Sequence, residues 1–243
     1  MPGKPLRTVL AVVGVAALAV PVAADRAAVA LAENRLAARL SCAAGITGDV
    51  DVTIHGFPFL TQLARGTVGD VRLHAQTVTV RDVTLSDVDV RARGLRGTSA
   101  DTLTASAVLP YAGLPGTAGA AFAGARLGGD SDRLTITTSV PVRGVTMPVT
   151  VYADLAVDGN QLTITPGEVE LTGLGLRVPA SRLPDGLAGA RTVPLPALPV
   201  GFTYLRISAT VGGLRLVVAG TGIDLGPGAD QKITNDTCGG TDG

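Results

Sequence analysis

Aliphatic and polar residues alternate along most of this chain, beginning with Val50, Val52 and Ile54, which Asp51 and Thr53 separate. A period of two puts the aliphatics on one face of a strand and the polar groups on the other, so each such strand meets water on one side. The pattern returns in Val71-Leu73-Ala75, Val78-Val80 and Val83-Leu85, then slips by one residue at Ser86-Asp87 before Val88-Val90-Ala92. An inserted residue of this kind predicts a β-bulge, and bulges bend sheets. Further strands are expected at 102–109, 134–140, 145–157, 162–171, 204–211 and 214–219. Asp158-Gly159-Asn160 and Gly212-Gly213 are tight-turn sequences between neighbouring strands, so the sheet is read as an antiparallel meander.

The front of the chain has another period. Residues 25–40 contain neither Gly nor Pro, and Val29, Leu36 and Leu40 fall on one side while Glu33, Arg35 and Arg39 interrupt the apolar surface. This predicts an amphipathic helix packed on a sheet and ending near 41–45. Ahead of it, Lys4 and Arg7 precede an uncharged run from Thr8 to Ala24 that closes on Val22-Ala23-Ala24. That is the layout of an export signal, with small residues suited to cleavage before Asp25. The run is also at the lower length limit for crossing a bilayer, which leaves a retained anchor as the alternative. In either case the bulk of the chain is expected outside the cytoplasm, in the periplasm or cell envelope. The organisation read from this is a leader or anchor over 1–24, one domain over 25–226 and a loose polar tail over 227–243. In an oxidising compartment Cys42 and Cys238 form an even pair, and a bridge would fasten the tail near the end of the first helix; two unpaired thiols are the alternative.

Composition narrows the chemistry. Hydrophobic residues make up 46% of the 243, yet aromatics only 3% and Trp is absent, so the interior is built from Val, Leu, Ile and Ala. Twenty basic and twenty acidic side chains cancel, and no long-range field draws the protein to nucleic acid. His55 and His74 are the two histidines, without the spacing of a zinc helix or neighbouring Cys ligands. There is no Gly-x-Ser-x-Gly elbow, and the glycines of Gly220-Thr221-Gly222-Ile223-Asp224-Leu225-Gly226 are unevenly spaced with no helix to follow. Asp87 with Asp89, and Asp130 with Asp132, have the spacing of a strand's solvated face, although oxygen pairs of this sort also suit calcium. Asn235-Asp236-Thr237 matches a glycosylation acceptor in pattern alone. No catalytic residue, metal or cofactor is expected.

What remains is apolar surface. Every strand offers an aliphatic face, and one slender Ala-rich helix is too small to cover them all. Either the sheet closes on itself as a sandwich, an exported interaction module that scaffolds envelope proteins, or it curls around the helix and leaves a groove for a foreign hydrocarbon. The slips, the glycines and the want of bulky aromatics favour the groove. Its ends are expected where large apolar groups gather. Phe57 and Phe59, two of four Phe, sit with Leu60 in His55-Gly56-Phe57-Pro58-Phe59-Leu60-Thr61-Gln62-Leu63-Ala64-Arg65-Gly66. There Gly56 permits a sharp turn, Pro58 holds Phe57 extended, and 60–65 makes one or two helical turns that Gly66 ends. Tyr111, Leu114 and Phe122 come from the Ala/Gly-rich connection over 111–128, and Leu195, Leu198 and Phe202 from a Pro-rich arm expected to run extended over 178–199 and its continuation. Arg65, beside the Phe-Pro-Phe corner, is the candidate for gripping a headgroup phosphate bidentately. The competing readings are a corner that plugs a core and an arginine that is merely solvated.

The Ala-rich helix, the strand ending in Gly56-Phe57-Pro58-Phe59-Leu60-Thr61-Gln62, the Val/Thr strands beyond it and the late Leu195-Pro196-Ala197-Leu198-Pro199 before 202–225 together resemble the LmeA-like family of phospholipid-binding envelope proteins from high-GC bacteria. The likeness spans nearly all of the chain after the leader. It implies an α+β, β-rich fold of tubular lipid-binding (TULIP-like) architecture, with a curved antiparallel sheet wrapped around the N-terminal helix beside an apolar groove. It further implies a non-enzymatic role in envelope lipoglycan biogenesis, with phospholipid, the membrane surface and envelope glycosyltransferases as partners.

Overall fold

A computed structural model describes residues 4–41, 46–80, 83–114, 122, 124–142, 145–171, 175–182 and 189–225. Cys42, Cys238, the tail over 227–243 with its Asn235-Asp236-Thr237 pattern, and parts of both long connections lie outside the described residues. The alternating stretches form two antiparallel six-stranded sheets. The first comprises β1 (Ile46–His55), β2 (Thr67–Val80), β3 (Val83–Arg96) and β4 (Ser99–Pro110), followed in space by β12 (Gly213–Asp224) and β11 (Phe202–Ala209). The second is built from β5 (Arg126–Asp130), β6 (Arg133–Val142), β7 (Val145–Asp158) and β8 (Gln161–Leu171). Two short strands complete it on either half of β8: β9 (Leu176–Pro179) pairs Glu168 to Leu171, and β10 (Arg191–Pro194) pairs Gln161 to Ile164.

The local chemistry explains the course of the chain. The slip at Ser86-Asp87 is a bulge, where β3 shifts register against β4 between Ser86 and Asp89 and Asp87 takes a φ of 53°. Gly159, at a φ of 55°, makes the two-residue turn between Asp158 and Gln161. β5, β9 and β10 emerge from stretches expected to be connections. Each is four or five residues long and lies at a sheet margin, where Pro194 removes no interior ladder bond.

Helix α1 runs without a break from Lys4 to Ser41 and includes Pro21, so the helix expected over 25–40 continues back through the uncharged run from Thr8 to Ala24. Among the described residues no helix is long and apolar enough to cross a membrane. Packing on α1 begins at Asp25: residues 19–24 are exposed, whereas Asp25 and Val29 are buried and Ala28, Ala32 and Glu33 are half-buried. Val29 meets Ile54 of β1 and Phe59 of α2 (Phe59–Ala64), with Val68 and Val71 against them. Glu33 accepts the backbone N–H of Ile54 at 2.7 Å, satisfying a donor on a strand that lies at the sheet's edge.

A second apolar cluster joins the two sheets. Leu134, Ala153, Leu162 and Ile164 of the second pack with Ile207, Ala209 and Leu214 of the first. The layers are stitched where Ala209 donates its N–H to the Asp132 carbonyl at 3.1 Å. They also touch at Gly129, where an added Cβ would come within 2.5 Å of the Thr210 carbonyl oxygen. The helix, the curved and unclosed antiparallel sheets and the interior between them give the α+β, TULIP-like fold that the sequence implies.

Candidate lipid-binding site

Between the sheets lies a partly enclosed cavity of about 480 Å³. Val83 and Leu85 reach it from the start of β3, Leu109 from the end of β4, Leu214 and Leu216 from β12, and Tyr204 and Ile207 from β11. The opposite wall is Leu127, Leu134, Leu155, Leu162 and Ile164, with Val193 and Pro194 of β10, and the connecting segments contribute Tyr111, Leu114, Phe122, Leu195 and Pro196. Leu162 with Ile164 and Leu214 with Leu216 are alternate strand positions, so the period of two that shaped the strands also supplies the lining.

Among the described residues no charged side chain lines this space. Its two hydroxyls are both spent on backbone carbonyls: Tyr111 donates to Thr210 at 2.7 Å and Tyr204 to Pro196 at 3.0 Å. Burial pushes the Tyr111 phenol up to about 12 and raises Tyr204 above its ordinary value, so both remain neutral donors at ordinary pH. What the cavity presents to a guest is therefore hydrocarbon and ring surface. An engineered apolar cavity of about 150 Å³ stays dry and takes up benzene. The space here is about three times larger, and water entering it would find few polar partners.

The structure brings together four of the residues expected to line a groove, Tyr111, Leu114, Phe122 and Leu195, and all four face the cavity. It places the others elsewhere. Phe59 is buried against Val29 and Ile54, while Phe57 and Leu60 are 55% and 43% exposed beside it. Leu198 and Phe202 are half-buried on the way into β11, where the Phe202 N–H reaches the Pro199 carbonyl at 3.1 Å, and neither belongs to the cavity wall. Arg65 caps α2 with its backbone and is exposed, at the Phe-Pro-Phe corner and away from the cavity. The Phe57–Pro58 peptide is cis.

The sequence reading missed most of the wall, because alternation shows that a strand has an apolar face without showing which face another sheet covers. The doublets Leu162/Ile164 and Leu214/Leu216, the largest aliphatics at their alternating positions, were the available signal.

Several polar groups outside the cavity are paired with one another. His74 Nδ1 lies 3.1 Å from Asp89, and Arg215 donates to Asp87 at 2.7 Å. His74, Asp87 and Asp89 have ligand atoms within 4.8 Å of one another, but Asp87 is already paired with Arg215 and Asp89 with the imidazole nitrogen. Asp132 faces Arg206 at 3.7 Å, and Ser131 donates to Asp130 at 3.2 Å. On the second sheet the Tyr152 ring is held between the guanidinium groups of Arg177 and Arg133, at 4.7 and 5.2 Å from its centre, and its hydroxyl donates to Glu170. These are braces across strands.

A model of a protein family, LmeA-like phospholipid-binding, matches residues 23–219. No curated protein and no solved structure matches the chain significantly.

Proposed function

Since the chain belongs to the LmeA-like phospholipid-binding family, with 23–219 matching its model, we propose that the cavity between the two sheets is where the lipid's acyl chains reside. The observation that carries this reading is the composition of the wall: about 480 Å³ enclosed by aliphatic and aromatic groups, with both hydroxyls diverted. Each methylene kept out of water contributes about 0.8 kcal/mol, so ten of them sheltered between the sheets offset about 8 kcal/mol of the cost of holding a lipid's tails outside the membrane. The mechanism is sequestration, with tails between the sheets and no bond made or broken.

On this reading the protein is an exported, non-enzymatic lipid carrier that works at the membrane surface outside the cytoplasm. It serves envelope lipoglycan assembly by holding or delivering lipid for membrane-bound glycosyltransferases. The uncharged stretch from Thr8 to Ala24 supports export or anchoring, and the family supports the lipid. The test is native mass spectrometry of the gently purified protein together with extraction of labelled phospholipid from vesicles. One bound phospholipid per chain is expected, and it is lost on Leu114→Asp or Leu195→Asp, both at half-buried wall positions, with circular dichroism unchanged. Repeated lipid-free preparations that also extract nothing would leave the sheets as a scaffold for envelope proteins.

A further inference from the structure

The Phe-Pro-Phe corner has a chemistry of its own. Phe59 and Asp25 anchor it inward, at 4% and 2% exposure, while Phe57, Leu60 and Leu63 stand 55%, 43% and 57% exposed. Leu60 and Leu63 are three residues apart on α2 and so share a face. Two cations accompany them. The Arg26 guanidinium lies 5.5 Å from the centre of the Phe57 ring, and Arg65 is exposed at the end of α2 with no ion pair among the described residues. From 55 to 69 the chain has no acidic residue, and the nearby Asp25 is buried.

The same corner is where the leader leaves the body. Asp25 Oδ1 accepts the Leu60 N–H at 2.8 Å, and the helix before it, uncharged from Thr8 to Ala24, projects with residues 19–24 exposed. Exposed leucines and a phenylalanine flanked by arginines, beside an uncharged helix, match the interface of an anionic bilayer, where rings and aliphatics enter the acyl boundary and guanidinium groups meet phosphates.

We propose that this corner, Phe57, Leu60 and Leu63 with Arg26 and Arg65, is a docking surface for an anionic phospholipid bilayer, separate from the lipid cavity. It rests on the lipid-carrier reading and specifies how the carrier meets its membrane. The corner adjoins Thr67 at the first residue of β2, whereas the cavity residue Leu85 pairs with Val78 near its end. At about 3.3 Å per residue these sites are about 35 Å apart along the strand, so a docked protein presents its cavity away from the bilayer.

The absence of Trp makes the test direct. Full-length Leu63→Trp and Val211→Trp chains each carry one reporter, the second at the β11–β12 turn by the other end of the sheet. Each is mixed with phosphatidylglycerol–phosphatidylcholine vesicles bearing brominated acyl chains. Emission from position 63 is expected to shift to the blue and be quenched, and emission from 211 to stay as in buffer. Adding Arg26→Gln and Arg65→Gln should weaken the quenching at 63 by about fivefold in lipid concentration for each positive charge removed, while lipid loading by native mass spectrometry is unchanged. A position-63 spectrum unaltered on vesicles, whether or not the leader holds the protein there, overturns the proposal. So does equal quenching at 211. Loss of loading with quenching at 63 intact strikes the cavity reading instead.

Discussion

The carboxylate of Asp25 accepts the backbone N–H of Leu60 at 2.8 Å, tying the first packed turn of the long helix to the start of α2. Its second oxygen, Oδ2, is buried without a hydrogen-bond partner among the described residues. The residue therefore holds two elements together through one oxygen while the other is withdrawn from water.

Removing the acceptor tests that tie. Asp25→Ala strips a partly buried N–H of its charged acceptor and is expected to cost about 1–3 kcal/mol in chemical denaturation. Asp25→Asn keeps an acceptor for Leu60 and removes the charge, so it should retain most or all of the stability. If the two variants lose equally, the hydrogen bond is not what holds the corner.

Phe59 separates core from lipid. At 4% exposure against Val29 and Ile54 it behaves as a plug, so Phe59→Ala should destabilise the protein by about 3–5 kcal/mol. The fraction that remains folded is expected to carry its full complement of phospholipid in native mass spectrometry. Loss of lipid without loss of stability would return this residue to the binding site.

Filling the cavity should compete with its guest. Leu127 is half-buried on the wall, and Leu127→Trp projects a large ring into empty space where overpacking, usually about 1–3 kcal/mol in a filled core, is largely avoided. Stability in denaturant should change little while bound phospholipid falls.

Alkaline pH reports on the tyrosines. Tyr111 is raised by burial to about 12, Tyr152 by its hydrogen bond to Glu170, and Tyr204 by burial. A folded value above the unfolded one means that stability is fully present below about pH 10 and is lost as pH rises through the folded value. Absorbance titration of the native protein should show all three phenols ionising later than in urea. Tyr111→Phe should make the fall in stability between pH 10 and 12 shallower.

How much was legible in the sequence differs from element to element. The alternation at Val50, Val52 and Ile54 marked β1, the extra residue at Ser86-Asp87 marked its bulge, and Gly159-Asn160 marked its hairpin, because each is a local backbone preference that needs no partner. β5, β9 and β10 were not legible. Gly128-Gly129 and Pro179 or Pro194 read as loop, and these segments are strands because a neighbour's free edge pairs with them. Among the residues expected to line a groove, Tyr111, Leu114, Phe122 and Leu195, scarce bulky groups in connections, face the cavity. Phe57, Phe59 and Leu60 answered to the same description and lie at the α1–α2 corner.

By itself the sequence determined that this chain is strands with one wet face each, led by an uncharged run and an Ala-rich helix, and that its apolar area exceeds what that helix can cover. Periodicity and composition are local quantities, and a single chain states them completely. Which faces meet was decided only in three dimensions. Helix α1 takes the edge and face of β1, the second sheet lies over β11 and β12, and between the sheets a space remains that Val, Leu and Ile are too small to fill. Burial depends on distances between residues far apart in the chain, as Tyr111 and Thr210 are at 99 positions, and no run of neighbours encodes such a distance.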